Sequence, residues 1–289
     1  MKEQRKMDQK KIDKEKNGIV EGSTSIPGEV SAQDPAPEQN LPTEVVVPKS
    51  VQETPFPPTS LVEELEVGFN PNEIKFLVYG ESGVGKTVFS ATWPRPLFLD
   101  IDRGLASVRH KISRIQISNW EDLQNAYAFL SSTENTFQTV VIDSLNELQK
   151  IAMAHVVGSF TGVRRSYDSL PSQSDYGKML DDFDKFVRAI RSLPMHVVLI
   201  SNVAGKEFET DIVQPQLTGK STSRNICRMM DIVGYLFKAD SSEPAKPRVM
   251  VFDEVNFVTK DRSGVLPPTI TDPTFDHLYE VWAKSVHKE

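Results

Sequence analysis

Gly80-Glu81-Ser82-Gly83-Val84-Gly85-Lys86-Thr87 is the stretch whose residue types and spacing most directly specify chemistry. It fits G-x-x-x-x-G-K-[ST] in full, a run whose glycines let backbone N–H groups curl around a β-phosphate. Lys86 can then reach the β and γ oxygens, and the Thr87 hydroxyl can ligate Mg²⁺. Such a site also needs a carboxylate at the end of a neighbouring strand, which Asp143 supplies at the close of the apolar run "TVVID". Asp253 in "VMVFDE" has the same strand-plus-acid form, but it lies so far downstream of Lys86 that an edge hairpin suits it better. Guanine-reading sequences are absent: there is no Asn-Lys-x-Asp segment and no D-x-x-G after the second apolar run. Adenine is the base expected by elimination, with ATP and Mg²⁺ as cofactors.

These residues need a strand before the loop, a helix after it and a sheet around it. "IKFLVYG" (74–80) reads as a buried strand and "KTVFSATW" as a short helix stopped by Pro94. Strands are expected at 96–102, 114–118, 139–144 and 195–202. Helices are expected at 119–132, 145–157, 175–193 and 274–286, the first capped by Ser118 or Asn119. Sheet additions are expected from "DIVGYLFKA" and "RVMVFDEVNFVTKDR". Alternating strand and helix signals define an α/β fold with a mainly parallel central sheet.

The domain that carries this pattern is expected over residues 61–289. Residues 1–60 are charged at the start and then rich in Pro, Ser, Thr and Glu, a composition that buries too little apolar surface to offset the entropy of ordering. A disordered N-terminal tail is expected there. The net charge of -7, from 33 basic and 40 acidic side chains, excludes a protein that coats nucleic acid by bulk charge. Cys227 is the only cysteine, so no intrachain disulfide can form, and a reducing compartment follows. The start has no apolar signal region and no later run is long enough to span a bilayer, so the expectation is a cytoplasmic protein without membrane contact. The five histidines have no metal-ligand spacing, and Cys227 beside Met229 and Met230 reads as packing.

Several motifs together resemble one family. "LFLDIDRGLAS" (97–107) is similar to the RecA-type strand ending in Asp-x-Glu, "VVIDS" to the RecA-type metal strand, and "VVLISN" to the next strand, with its polar γ-phosphate sensor. "VTKDRSG" (258–264) resembles the Lys-x-Arg hairpin of RadA and DnaB-type helicases, which reaches a neighbouring subunit's γ-phosphate. The layout over about residues 70–285 looks like that of small phage-encoded RecA-like ATPases linked to single-strand annealing and recombination. The resemblance implies a RecA-like phosphate-loop core. In it Asp102 orients water, Asp143 holds the metal shell, Asn202 senses the γ-phosphate, and Lys260 and Arg262 act in trans within a ring or filament. Asp102 stands where that family usually has Glu, one methylene longer, which implies slow or partner-dependent turnover. Asp100, on the same strand face by period two, is the alternative water-positioning acid.

RecA-like proteins hold single-stranded DNA with two loops, and both are long in this chain. The first (158–174) carries Arg164, Arg165 and Tyr167, a cation pair beside an aromatic suited to neutralising phosphate and stacking a base. The second (204–225) carries Lys206, Lys220 and Arg224, diluted by Glu207, Glu209 and Asp211. The expected function is ATP-dependent action on single-stranded DNA in phage recombination or annealing, in the host cytoplasm if the chain is phage-encoded. The alternative is a slow ATP-gated switch that recruits a protein partner such as a single-strand-binding protein. A helicase-like motor is less favoured, because no accessory domain is visible beyond the core.

Overall fold

The computed structural model describes residues 69–158, 171–204, 212–219, 221–240 and 246–286. Compactness divides the chain into Met1–Glu64 and Leu65–Glu289, and all described residues belong to the second unit. The expected tail therefore lies outside the described residues.

Six strands make the parallel part of the sheet: β1 (Lys75–Gly80), β2 (Pro96–Asp100), β3 (Ser113–Gln116), β4 (Thr139–Asp143), β5 (His196–Asn202) and β6 (Ile232–Lys238). β7 (Arg248–Val251), β8 (Lys260–Asp261) and β9 (Thr269–Thr271) add antiparallel pairs. Among the described residues the order is β3-β2-β4-β5-β1-β6-β7-β9, with β8 pairing to β6. β1 and β4 are buried along their whole length, so they read as unbroken apolar runs instead of alternating ones. The expected α/β core, a mainly parallel sheet flanked by helices, is what forms.

Alternate residues of each strand feed opposite cores. Leu77, Tyr79, Leu99, Val140 and Ile142 pack under α2 (Trp120–Leu130), α3 (Leu145–Gly158) and α4 (Gln173–Arg191), joined by Ile226 and Cys227 of α5 (Thr222–Met229). Phe76, Val78, Phe98, Val141 and Val198 face the other way. They meet Phe89 and Trp93, in and just after α1 (Lys86–Ser90), and Phe275, Leu278 and Trp282 of α6 (Phe275–Val286). Burying an aromatic or Leu side chain of this kind is worth about 1.5–3 kcal/mol, so α6 is bound tightly to the back of the sheet. Asn119, not Ser118, is the cap of α2: its side chain accepts from the Asp122 N–H at 2.9 Å, and the Asp122 carboxylate returns the bond.

The segment 248–262 departs from a continuous sheet addition. β7 runs antiparallel to β6, with Arg248 opposite Lys238 at the phosphate-loop end of the sheet and Val251 opposite Tyr235. The chain after β7 therefore heads away from that end, which leaves Asp253 exposed and far from any metal position. β8 then pairs at Ile232 and Val233, the starting edge of β6.

Candidate active site

Strand register brings the chemistry-bearing residues to one edge. Gly80 pairs with Asn202 across β1 and β5, and Asp100 with Asp143 across β2 and β4, so four neighbouring strands end at the same edge of the sheet, β1 and β5 reaching beyond β2 and β4. Ligands of open α/β sheets collect at this carboxyl edge. Gly80 is required at the turn because β6 passes so close that a Cβ would sit 2.1 Å from the Leu236 carbonyl oxygen. Gly85 has φ +108°, a conformation L side chains rarely adopt, and a Cβ there would lie 2.6 Å from Arg248 Nε.

Lys86 closes the loop on itself. Its ammonium donates to the Gly80 and Glu81 carbonyls at 2.8 and 2.9 Å and to Asn202 Oδ1 at 3.2 Å. Burial lowers its pKa, against the opposing pull of Asp143, Glu81 and Asp102. The Thr87 hydroxyl donates to Asp143 Oδ2 at 2.7 Å. Burial drives the Asp143 pKa up to about 6, with the Thr87 bond and Lys86 pulling the other way and Asp102 adding to the rise. Asp102 is tied to this pair through the backbone: the Ile101 and Asp102 N–H groups both donate to the Asp143 carbonyl, at 2.9 and 3.1 Å. Its carboxylate accepts from Ser144 Oγ at 3.2 Å, and its pKa is raised, first by desolvation.

Lys86, Thr87, Asp102, Asp143 and Asn202 therefore meet in one cleft of about 680 Å³. The cleft is also walled by Ser82, Gly83 and Gly85 of the loop. Asp100, the alternative acid, is fully buried, pairs with Arg114 and does not line this cleft. The donor set fits Mg²⁺: a hydroxyl and a carboxylate stand together, hard oxygen ligands for a cation that keeps waters and takes phosphate oxygens for the rest of its shell. Among the described residues no cluster of three or more His, Cys, Asp or Glu side chains could hold a metal by protein ligands alone.

Lys260 and Arg262 are not brought to this cleft. Lys260 Nζ donates to the Arg228 and Met230 carbonyls at the end of α5, at 2.9 and 2.5 Å. Arg262 pairs with Asp231 at 2.6 Å. Both sit at the edge of the sheet opposite the phosphate loop, spent on partners within their own chain. Arg164, Arg165, Tyr167, Lys206 and Lys220 lie outside the described residues, and Arg224 is exposed in the first turn of α5.

Three groups were missed at the sequence level. Arg248 enters the cleft from β7, with Nε donating to the Val84 carbonyl at 2.9 Å. Arg109 and His110 line it from the solvated stretch after Asp102. Asn146, at the start of α3, accepts from the Asn202 N–H at 2.9 Å and donates to the Gln216 carbonyl at 2.5 Å. Gln149, one turn on, holds Thr218 by both its N–H and its carbonyl, at 2.8 and 3.2 Å. β5 and the described part of the second loop are thus fastened to one helix. The only sequence signal for Asn146 is its place three residues after Asp143.

Over residues 72–263 the sequence matches the family described as "AAA domain". No curated protein matches the chain in sequence. Among solved structures, the chain is similar to one titled "Crystal structure of the RadB recombinase", at 15% identity and a TM-score of 0.37, covering 62% of this chain and 79% of that one.

Proposed function

The chain belongs to the AAA domain family, a membership carried by two thirds of its length, and from it we propose a Mg²⁺-dependent ATPase that acts on single-stranded DNA in recombination or annealing. The observation that carries the ATPase reading is the Thr87–Asp143 bond of 2.7 Å beside Lys86, because it assembles metal and phosphate ligands from separate elements at one point.

Each residue then has a task. The loop N–H groups and Lys86 bind and orient the β and γ phosphates. Thr87 and, through water, Asp143 would hold Mg²⁺, which would supply positive charge to offset that developing on the phosphates. Asp102, tied to Asp143 by its backbone N–H and with its pKa raised, first by desolvation, orients the attacking water and accepts its proton. Asn202 links Lys86 to Asn146 and so reports the occupancy of the loop to α3 and to residues 216–218. That segment is part of the second long loop, where Lys206 and Lys220 were expected to meet DNA. Binding of ATP would favour assembly on the strand and hydrolysis would release it. Lys260 and Arg262 of an adjoining protomer could complete the site only by exchanging their present partners.

A second reading from another class is a slow ATP-gated switch that recruits a protein partner. The specific support is Asp102, a side chain one methylene shorter than Glu that accepts a hydrogen bond from Ser144 Oγ at 3.2 Å. Steady-state ATP turnover with and without single-stranded DNA tests the first reading. Turnover indifferent to DNA, with ATP still bound, favours the second.

A further inference from the structure

Arg248 belongs to none of the phosphate-site motifs, yet its side chain lies across the phosphate loop. Its position is fixed twice. Its N–H donates to Asp272 Oδ1 at 2.9 Å, and its carbonyl accepts from the Asp272 N–H at 2.6 Å. Its Nε donates to the Val84 carbonyl at 2.9 Å, and the guanidinium rests on Gly85, where a Cβ would displace it. The two terminal nitrogens have no partner among the described residues, and Arg248 lines the nucleotide cleft. A guanidinium held by one N–H, with its outer edge open to a phosphate site, is ready for bidentate contact with an anion.

The sheet order says which anion. Asp143, Asp102 and Asn202, the γ-phosphate and metal side, come from strands on one flank of β1; β6 and β7 lie on the other. A triphosphate whose γ end meets the carboxylates has its β-phosphate in the loop and its α-phosphate directed away from them, on the Arg248 flank. We infer that Arg248 holds the α-phosphate and the nucleoside end of the bound nucleotide, opposite the metal, as a residue of ground-state binding and not of hydrolysis. The inference rests on the nucleotide-binding reading above.

The test is calorimetric titration of the full chain and of Arg248→Ala and Arg248→Lys with Mg-ADP and with Mg-pyrophosphate. Pyrophosphate can fill the loop but has no α-phosphate bearing a nucleoside. Loss of a charge-assisted phosphate contact of about 1.5–3 kcal/mol corresponds to a ~10- to 150-fold weaker ADP affinity in Arg248→Ala. Pyrophosphate affinity is expected to stay within ~3-fold. Arg248→Lys, which keeps charge but loses the fork, is expected to recover only part of the ADP affinity. Unchanged ADP affinity in Arg248→Ala overturns the inference, and so does equal weakening of both ligands, which would make Arg248 a brace for Val84 alone. If the unmodified chain binds neither ligand, the nucleotide-site reading itself fails and takes this inference with it. Should Arg248→Ala not fold, the same comparison between ADP and pyrophosphate is read from Arg248→Lys.

Discussion

The Thr87 hydroxyl donates to Asp143 Oδ2 at 2.7 Å, joining residues separated by 56 positions in the sequence. One is on the first turn after the phosphate loop and the other at the end of the metal strand. Thr87→Ala removes a metal ligand and leaves a largely buried carboxylate with one partner fewer. The expected result is a Mg²⁺ requirement raised by ~10-fold or more, with Thr87→Ser close to the unmodified protein. A Mg²⁺ titration of ATP turnover checks it, and an unshifted midpoint in Thr87→Ala would remove Thr87 from the metal site.

Asp102 decides between an efficient ATPase and a slow switch. Positioned general bases contribute about 10²- to 10⁴-fold, so Asp102→Ala is expected to lower turnover by at least ~100-fold while nucleotide affinity stays within a few-fold. Asp102→Glu extends the carboxylate by one methylene into the cleft. If the Asp–water reach limits the step, single-turnover hydrolysis accelerates in that variant. Unchanged hydrolysis in Asp102→Ala would assign water activation elsewhere.

His196 gives a stability prediction away from the cleft. It is buried, its Nδ1 accepts from the Ile74 N–H at 3.1 Å, and burial with nearby Lys75 lowers its pKa to about 4. The folded value lies below the unfolded one, so the unfolded chain takes up this proton first. Its contribution is intact above the ordinary histidine range and is lost as pH falls from about 6.5 to about 4, by up to ~3 kcal/mol. Asp143 works in the opposite sense: its raised pKa favours the folded state below its ordinary range, and that gain is lost as pH rises through about 6. The difference between the unmodified chain and His196→Asn isolates the histidine. Denaturant melts from pH 7 to pH 4.5 should fall less steeply for His196→Asn, and parallel curves would contradict the assignment.

What was legible in the sequence was local. The phosphate loop, Asp143 and Asn202 each sit at the end of an apolar run, and a parallel sheet places successive strand ends at one edge, so reading the strands was enough to find them. Asp100 against Asp102 could not be settled that way, because the choice rests on Arg114 pairing with Asp100 from the neighbouring strand β3. The places of Arg248, in the cleft, and of Lys260 and Arg262, outside their own chain's cleft, have one cause. Whether a basic residue reaches the cleft depends on the antiparallel direction of β7 and on the register of β8 at Ile232, and neither leaves a periodic trace. Asn146 was hidden because its partners, Asn202 and Gln216, are 56 and 70 positions away.

The central claim is that this cleft turns over ATP in response to single-stranded DNA. Steady-state ATP hydrolysis by the full chain, with and without single-stranded DNA and with Lys86→Ala as control, tests it most directly. The expected result is Mg²⁺-dependent turnover that DNA stimulates and that Lys86→Ala reduces by ~100-fold or more. Turnover that survives Lys86→Ala, or that DNA leaves unchanged while ATP still binds, would contradict it.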